Sequence, residues 1–566
     1  MGGIMMQEQS GIKNFWNWMW QLHDQAKDLM SFAVTGNPEK VKPKEDDRKQ
    51  AGNGSDSNQP ANGSGGSGSS FDTRQKIGII LGPLLFIVTL LFFEPEGLSS
   101  SAVAILASTL WIATWWITEA VPIPATSLLP LILFPLTGGL SGDATASSYG
   151  DNTIFLFMGG FLIALAMQKW NLHKRIALFI ISLVGTSTEM IVLGFMLATG
   201  LLSMWISNTA TSMMMVPIGL AVIYQASEQL KKEGEGQVDH SSFNFGKVVM
   251  LGIAYSASIG GLATIIGTPP NTIFAAVVSE TYNIEISFAG WMAFGVPLSI
   301  IFLGIAWVYL VKVAFPMKIK QLPGGREVID NERRGLGEMS VEEKIVLSVF
   351  GVTALAWISR SFILVPYVSG NIDDTIIAMT AAIILFLIPS ISKKGDFILD
   401  WNTAKGLPWG ILLLFGAGLA IAAGFQETGL AEWIGNQLTI LEGVSLFLIL
   451  ACVIAMVIFL TEITSNTATA TMMFPIMASL ASALSVHPYS LMIGAGVAAS
   501  CAFMLPVATP PNAVVFGSGY LRIPDMAKAG FLLNILAIVL ATLAIYFYLP
   551  IVWDIDLTTF PQKFSQ

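Results

Sequence analysis

Twice along this chain a long apolar run is broken by the same polar signature. Ser207 to Pro217 reads SNTATSMMMVP, and Ser465 to Pro475 reads SNTATATMMFP, identical at eight of eleven positions. Each copy is trailed by a second matched segment, GTPPN at Gly267 to Asn271 and ATPPN at Ala508 to Asn512. A lone SNT tripeptide says little. Two copies in the same order, each followed by TPPN, mark an internal duplication. Their apolar setting makes them a strong constraint, because non-helical backbone survives at membrane depth only where it is buried in protein or lines a cavity.

The setting follows from composition. Of 566 residues, 53% are hydrophobic and 12% are charged, about half the charged share of a soluble protein. Many segments reach the roughly 18 apolar residues that can cross a bilayer, so the chain reads as a polytopic all-α membrane protein. The net charge of −9 is confined to loops and tails. Cys452 and Cys501 both lie in apolar runs and read as buried thiols. Four histidines without ligand spacing argue against a structural metal site. No cleavable signal peptide is expected, since the first long apolar run, near Ile77, lacks the usual flanks.

Residues 1–76 form an amino-terminal tail of different character. Phe15, Trp18, Met19, Leu22, Ala26, Leu29, Met30 and Ala33 follow helical spacing. They fit either an interfacial amphipathic helix or an ordinary tail helix. Residues 49–70 are rich in Gly, Ser, Asn and Asp and read as a flexible linker.

The first half, 77–316, is expected to place spans near 77–94, 98–117, 122–139 and 151–170, a short surface helix at 176–186, arms 188–206 and 208–228 meeting at Ser207, a broken span (248–266 and 270–284) and a span at 288–316. A cytoplasmic loop covers 317–343. The second half, 344–552, repeats the order: spans near 344–362, 374–390 and 408–424, arms 444–464 and 466–485 meeting at Ser465, a broken span (489–507 and 511–518) and a final span at 529–552, followed by a tail at 553–566. The interval between the two motifs is longer in the first half by about the length of its polar loop 229–247.

Excess Lys and Arg marks the cytoplasmic side. Lys169, His173, Lys174 and Arg175, then Lys318, Lys320, Arg326, Arg333 and Arg334, then Lys393, Lys394 and Lys405, and finally Arg522 and Lys528 read as inside. The stretch 426–442 carries acids but no Lys or Arg and reads as outside. The prediction is about eleven spans, with the first hairpin (188–228) based inside and the second (444–485) outside. The amino terminus is then cytoplasmic and the carboxyl terminus extracytoplasmic. This is an inverted repeat, whose ligand sites sit near the midplane.

The residue types suit small ions. Ser, Asn and Thr cap helices and supply oxygen ligands. Pro269 and Pro270 remove backbone donors and disfavour helix before them, which frees carbonyls at Gly267, Thr268, Ala508 and Thr509 for a hard cation such as sodium. The helices leaving Ser207 and Ser465 present positive amino termini, which favour an anion. The plainer alternative is that these residues only cap or pack helices; duplication with the TPPN partners weighs against it. No Lys, Arg or His occurs in the four motifs or in the arms expected to flank them. Bound cations would then offset the charge of a dianion at the midplane. Glu462, beside Thr461, either tunes a cation site or accepts a proton, or is a scaffold residue, and Glu119 is read the same way.

On these motifs, together with Trp170-Asn171-Leu172-His173-Lys174-Arg175 after the fourth span, residues 77–552 resemble the divalent anion/sodium symporter family of sodium-coupled dicarboxylate and citrate carriers. The resemblance implies eleven spans with two opposed hairpins, a homodimer, and a fixed scaffold beside an elevator-type transport domain. It implies a first sodium site at Ser203, Ser207, Asn208 and Gly267, and a second at Thr461, Ser465, Asn466 and Ala508. Substrate carboxylates would meet Asn208, Thr209, Asn466 and Thr467, with Thr268, Pro269, Thr509 and Pro510 nearby. None of these positions departs from the family pattern; the tail 1–76 has no counterpart role.

The expected activity is inward symport of C4-dicarboxylates (succinate, malate, fumarate) with sodium by alternating access, sodium ordering the motifs first. Rivals on the same fold are a sodium-independent exchanger and a citrate or sulfate carrier. A membrane enzyme is disfavoured by the lack of HExxH, of GxSxG and of an apparent membrane carboxylate pair. A channel is a further alternative. Membrane lipid, and not nucleic acid, is the expected macroscopic partner.

Overall fold

The computed structural model describes residues 73–185, 187–232, 243–317, 325–438 and 443–564. The amphipathic spacing and the linker read in 1–76 fall outside the described residues, as does most of loop 229–247. Arg74 to Gln566 cluster as one unit. The described residues are helical, with a single isolated bridge pair between Pro389 and Phe397.

The first half contains α1 (Thr73–Phe92), α2 (Ser100–Thr118), α3 (Asn152–Lys169), α4 (Leu172–Val184), α5 (Thr188–Ser203), α6 (Asn208–Lys232), α7 (Asn244–Gly261), α8 (Pro269–Tyr282) and α9 (Phe288–Val308). The second contains α10 (Val341–Ser359), α11 (Asp374–Leu387), α12 (Trp409–Glu427), α13 (Leu430–Leu438), α14 (Leu446–Thr461), α15 (Asn466–Ala483), α16 (Pro488–Ala499), α17 (Pro510–Phe516) and α18 (Ile523–Leu543). Among the described residues, eight helical segments are long and apolar enough to cross a membrane.

Three sequence expectations need correction. The segment 122–139 is no continuous span: it holds two short helices, Ile123–Thr126 and Pro130–Thr137, the second opening at Pro130, since a proline within a continuous helix would remove a hydrogen bond and crowd the preceding turn. The first arm of the second broken span stops at Ala499, well short of residue 507. Cys452, expected as a buried thiol, is exposed on α14, while Cys501 is buried.

Helix starts follow local chemistry. Ser99, Ser187 and Ser287 cap α2, α5 and α9 by accepting from backbone N–H groups. Ser340 and Glu343 form a reciprocal capping box at α10. Asn171 takes the left-handed conformation (φ 56°) between α3 and α4, where Asn is one of the few tolerated side chains.

Two cores result. A large one joins α3 to α11 and α5–α9 to α14–α18, with Trp291, Trp357 and Tyr255 fully buried. A smaller one unites α2, Leu133, Phe134 and α12 around Ile105, Trp116 and Ile421.

Several of the basic segments expected inside meet at one end. Lys169 lies 2.6 Å from Asp400 and 3.3 Å from Asp396, and its hydrogen bond holds the Asp400 carboxyl well below the usual carboxylate range. The Trp170 indole donates to Ile398 O at 2.8 Å. Lys174 pairs with Glu332 at 2.9 Å, and Arg175 with Glu343 at 2.9 Å. The WNLHKR run is thus a clamp between the α3–α4 corner, segment 325–343 and loop 388–400.

Candidate ion and substrate site

The four motif segments assemble crosswise. Helices α5, α6 and α7 pack on one another, as do α14, α15 and α16. Then α6, which opens at the first SNT, packs on α17, which opens at the second TPPN. Reciprocally, α15, opening at the second SNT, packs on α8, opening at the first TPPN. The halves interlock through Phe274 and Phe474, whose rings lie 6.0 Å apart.

Within each half the polar groups repeat the same geometry. Ser203 Oγ donates to Asn208 Oδ1 at 2.5 Å, and Thr461 Oγ1 donates to Asn466 Oδ1 at 2.6 Å. Ser203 and Thr461 are fully buried, while Ser207, Asn208, Thr209, Ser465, Asn466 and Thr467 are half-buried. Each motif therefore has a dry oxygen pair behind a partly open face. Thr268 and Thr509 are both extended, at φ −142°, ψ 142° and φ −139°, ψ 149°. The Pro-Pro pair that follows starts α8 and α17 at the first-turn position where proline loses no intrahelical bond.

Gly267 is brought to Asn208. A methyl placed on Gly261 would lie 2.8 Å from Asn208 Oδ1 and 3.1 Å from Gly267 O, so these oxygens converge on the space that the glycine leaves. With Ser203 Oγ they form a compact set of neutral hard oxygens, the ligand type that alkali and alkaline-earth cations take. On the other side, Thr461 Oγ1 also reaches Ala499 O at 3.1 Å, and Ala508 is buried.

The amino ends of α6 and α15 carry no acid in their first turns. Their partial positive charge is unquenched, and first-turn amides have no partner within the helix. An anion near Asn208, Thr209, Asn466 and Thr467 would meet those donors. Pro269 is half-buried and Pro510 exposed, so each TPPN segment has one proline that is open to its surroundings.

Sequence reasoning missed some neighbours. Arg74 Nη1 donates to Ile463 O at 3.0 Å, bringing a cation from α1 to the second motif's tip; an isolated Arg at a span's start carries no signal of that reach. Thr268 Oγ1 lies 3.5 Å from Ser500 Oγ, a contact between halves. Glu462 takes the scaffold reading. Its Oε1 accepts from Phe503 N (2.8 Å), Met504 N (2.9 Å) and Asn534 Nδ2 (2.7 Å), and its Oε2 from Leu505 N (3.1 Å). Glu119 is half-exposed, 3.9 Å from Arg74.

Comparison with known proteins agrees in coverage. The chain is 51% identical over 491 residues to the sodium-dependent dicarboxylate transporter SdcS of Staphylococcus saprophyticus, covering 86% of this chain and 94% of that protein. It is equally identical over 489 residues to SdcS of Staphylococcus aureus strain MRSA252, with the same coverage. Two solved structures share the fold at low identity. Neisseria gonorrhoeae MtrF, described among antimetabolite efflux pumps, aligns with TM-score 0.51 at 14% identity over 84% of this chain and 96% of that one. The Alcanivorax borkumensis YdaH transporter aligns with TM-score 0.50 at 13% identity over 85% and 97%. The profile described as the sodium:sulfate symporter transmembrane region matches residues 75–554. That match takes in both SNT and both TPPN segments, so the chain belongs to the sodium:sulfate symporter family and is a multi-pass membrane protein.

Proposed function

We propose that this protein is a sodium-coupled symporter of C4-dicarboxylates such as succinate, malate or fumarate. The observation that carries this reading is the reciprocal packing of the motif helices around two matching hydroxyl–amide pairs, Ser203–Asn208 and Thr461–Asn466. Sodium occupies one site at Ser203, Ser207, Asn208 and Gly267 and another at Thr461, Ser465, Asn466 and Ala508. The dicarboxylate bridges Asn208, Thr209, Asn466 and Thr467, beside Thr268, Pro269, Thr509 and Pro510. Two bound cations offset a dianion in a site whose motifs contain no basic residue, which lowers the cost of holding charge at membrane depth. The names of the relatives favour dicarboxylate over sulfate as cargo.

Helix lengths support re-entrant hairpins. At 1.5 Å per residue, the 16 residues of α5 and of α14 reach about 24 Å, short of a hydrocarbon core of about 30 Å. In this reading the halves are inverted, with about eleven spans in all, a cytoplasmic amino terminus and an extracytoplasmic carboxyl terminus. The smaller core around α2 and α12 belongs to a fixed scaffold. The motif helices belong to a domain that moves as an elevator, and the protein works as a homodimer.

The test is isotope uptake into proteoliposomes with and without an inward sodium gradient. Succinate uptake is expected to need sodium, and Asn208→Ala or Asn466→Ala to reduce it by about a hundredfold or more, the scale of losing ligands to ion and substrate together. Uptake indifferent to sodium, or unchanged in both variants, would overturn the assignment. Competition by citrate and sulfate separates the other cargoes.

A further inference from the structure

The site described above gives tasks to the Thr and Pro of each TPPN segment and none to its Asn. Asn271 and Asn512 are both 0% exposed. Asn271 Nδ2 donates to Gly261 O (3.1 Å), Leu262 O (3.3 Å) and Thr264 O (2.8 Å). Asn512 Nδ2 donates to Ala502 O (3.2 Å) and Leu505 O (3.0 Å). Ala502 and Leu505 lie the same number of residues before Asn512 as Gly261 and Thr264 lie before Asn271. In both copies Oδ1 has no hydrogen-bond partner. Because every neighbour of the nitrogen is a carbonyl oxygen, the chemistry fixes which end of the amide faces the turn. Leaving a buried acceptor idle is unfavourable, and here it occurs twice, so it is the donors that the fold retains.

The tied carbonyls lie at the end of α7 and in the non-helical turns that follow α7 and α16. Thr264 O and Leu505 O also accept from Gly267 N and Ala508 N, at 3.3 and 3.2 Å, so each Asn amide holds the same carbonyl that anchors Gly267 or Ala508. The first set is coupled directly to the ion ligands: Gly261 is the residue whose missing side chain leaves room for Asn208 Oδ1 and Gly267 O. Trp291 Nε1 adds a further donor to Leu262 O at 3.0 Å.

We propose that Asn271 and Asn512 are positioning residues of the two cation sites. Each amide gathers the surplus carbonyls of its broken turn and so leaves Gly267 O, or Ala508 O, aimed at the ion. Neither touches ion or substrate. This rests on the sodium-coupled reading.

The test compares wild type with Asn271→Ala and Asn512→Ala in proteoliposomes, measuring succinate uptake against sodium concentration. In parallel, melting of the purified protein is followed against sodium chloride, with choline chloride as control and no substrate. Each variant is expected to raise the sodium concentration for half-maximal uptake and half-maximal stabilisation by about tenfold, the scale of one or two buried hydrogen bonds. The rate at saturating sodium should stay within about twofold of wild type, since the ligands themselves are intact. If an Ala variant does not accumulate, Asn→Ser at the same position supplies the sodium curve. A sodium-responsive wild type with unshifted curves in the variants overturns the proposal alone, as does a lower melting temperature with no change in sodium midpoint. A wild type indifferent to sodium overturns the functional reading as well.

Discussion

The two motif regions carry the same polar groups on different supports. Behind the first SNT, the cradle is made by absence: Gly261 and Gly267 leave space, and a methyl on Gly267 would fall on the backbone at Gly261 O. Behind the second, the corresponding residues are Ala502 and Ala508. The loop before Thr268 is held by donors, Asn271, Trp291 and the Thr264 hydroxyl, which reaches Met204 O at 2.5 Å. The loop before Thr509 keeps the donor Asn512 and adds an acceptor, the Glu462 carboxylate, which gathers three backbone N–H groups. The tips differ as well. Trp205 packs against Phe288, Phe350 and Trp357 at 6.0, 5.0 and 6.4 Å between rings, whereas Ile463, beside Glu462, is 56% exposed. Duplication kept the polar groups of the motifs and left each half free to find its own anchorage.

The comparison can be broken most sharply at the glycines. Gly267→Ala forces a backbone contact and should abolish sodium-dependent uptake, a loss of about a hundredfold or more given how steeply such contacts cost. Ala508→Gly should change uptake by only a few-fold, the cost of added backbone freedom. Equal effects in the two halves would show that the cradles are equivalent.

Next in size is the carboxylate. Glu462→Ala takes the acceptor from three backbone N–H groups and from the Asn534 amide and should destabilise the protein by about 3–5 kcal/mol, at about 1–3 kcal/mol per orphaned group before relaxation. Glu462→Gln keeps one acceptor and should lose less. Melting of detergent-solubilised variants measures both, and an unchanged midpoint in Glu462→Ala would remove the clamp from the account. At the tips, Trp205→Ala should cost about 2 kcal/mol through lost ring packing, while Ile463→Ala should stay within about 0.5 kcal/mol.

A pH-dependent effect lies where α7 and α16 begin. Lys247 anchors the start of α7 to Asp525 at 3.0 Å. His487 caps α16, accepting from Tyr489 N at 3.2 Å, and its ring packs 4.9 Å from that of Phe564. Burial, then Lys563, pulls the His487 imidazole down to about 4, with Asp556 opposing. The native form is neutral, and an unfolded His titrates near 6.5. As pH falls the unfolded chain takes the proton first, so this contribution is whole above about 6.5 and drains away between there and about 4. The melting temperature should decline across that window, and His487→Asn should flatten the decline; the same slope in both proteins would exclude the histidine as its source.

Much of this was legible in residues. Apolar run lengths locate most helices because a membrane segment must close its own hydrogen bonds. The SNT and TPP breaks announce themselves because Pro and small polar residues end helices by local chemistry. The division of 122–139 was less readable, since its hydropathy is continuous and only the prolines argue otherwise. The early end of α16 was hidden for the same reason: Cys501, Ala502 and Phe503 are apolar, and the turn is stabilised from outside by Glu462.

By itself, the sequence determined that the chain is a duplicated helical membrane protein with broken backbone at four places. That information is local, carried by hydropathy, proline and helix capping. Only the tertiary structure decided which broken end faces which. Crosswise pairing of α6 with α17 and α15 with α8, Arg74 at the second tip, and the amides of Asn271 and Asn512 turned on carbonyls behind the motifs all depend on contacts between distant segments. Such contacts are set by packing and by the need to satisfy buried polar groups across the whole molecule, and no spacing along the chain records them.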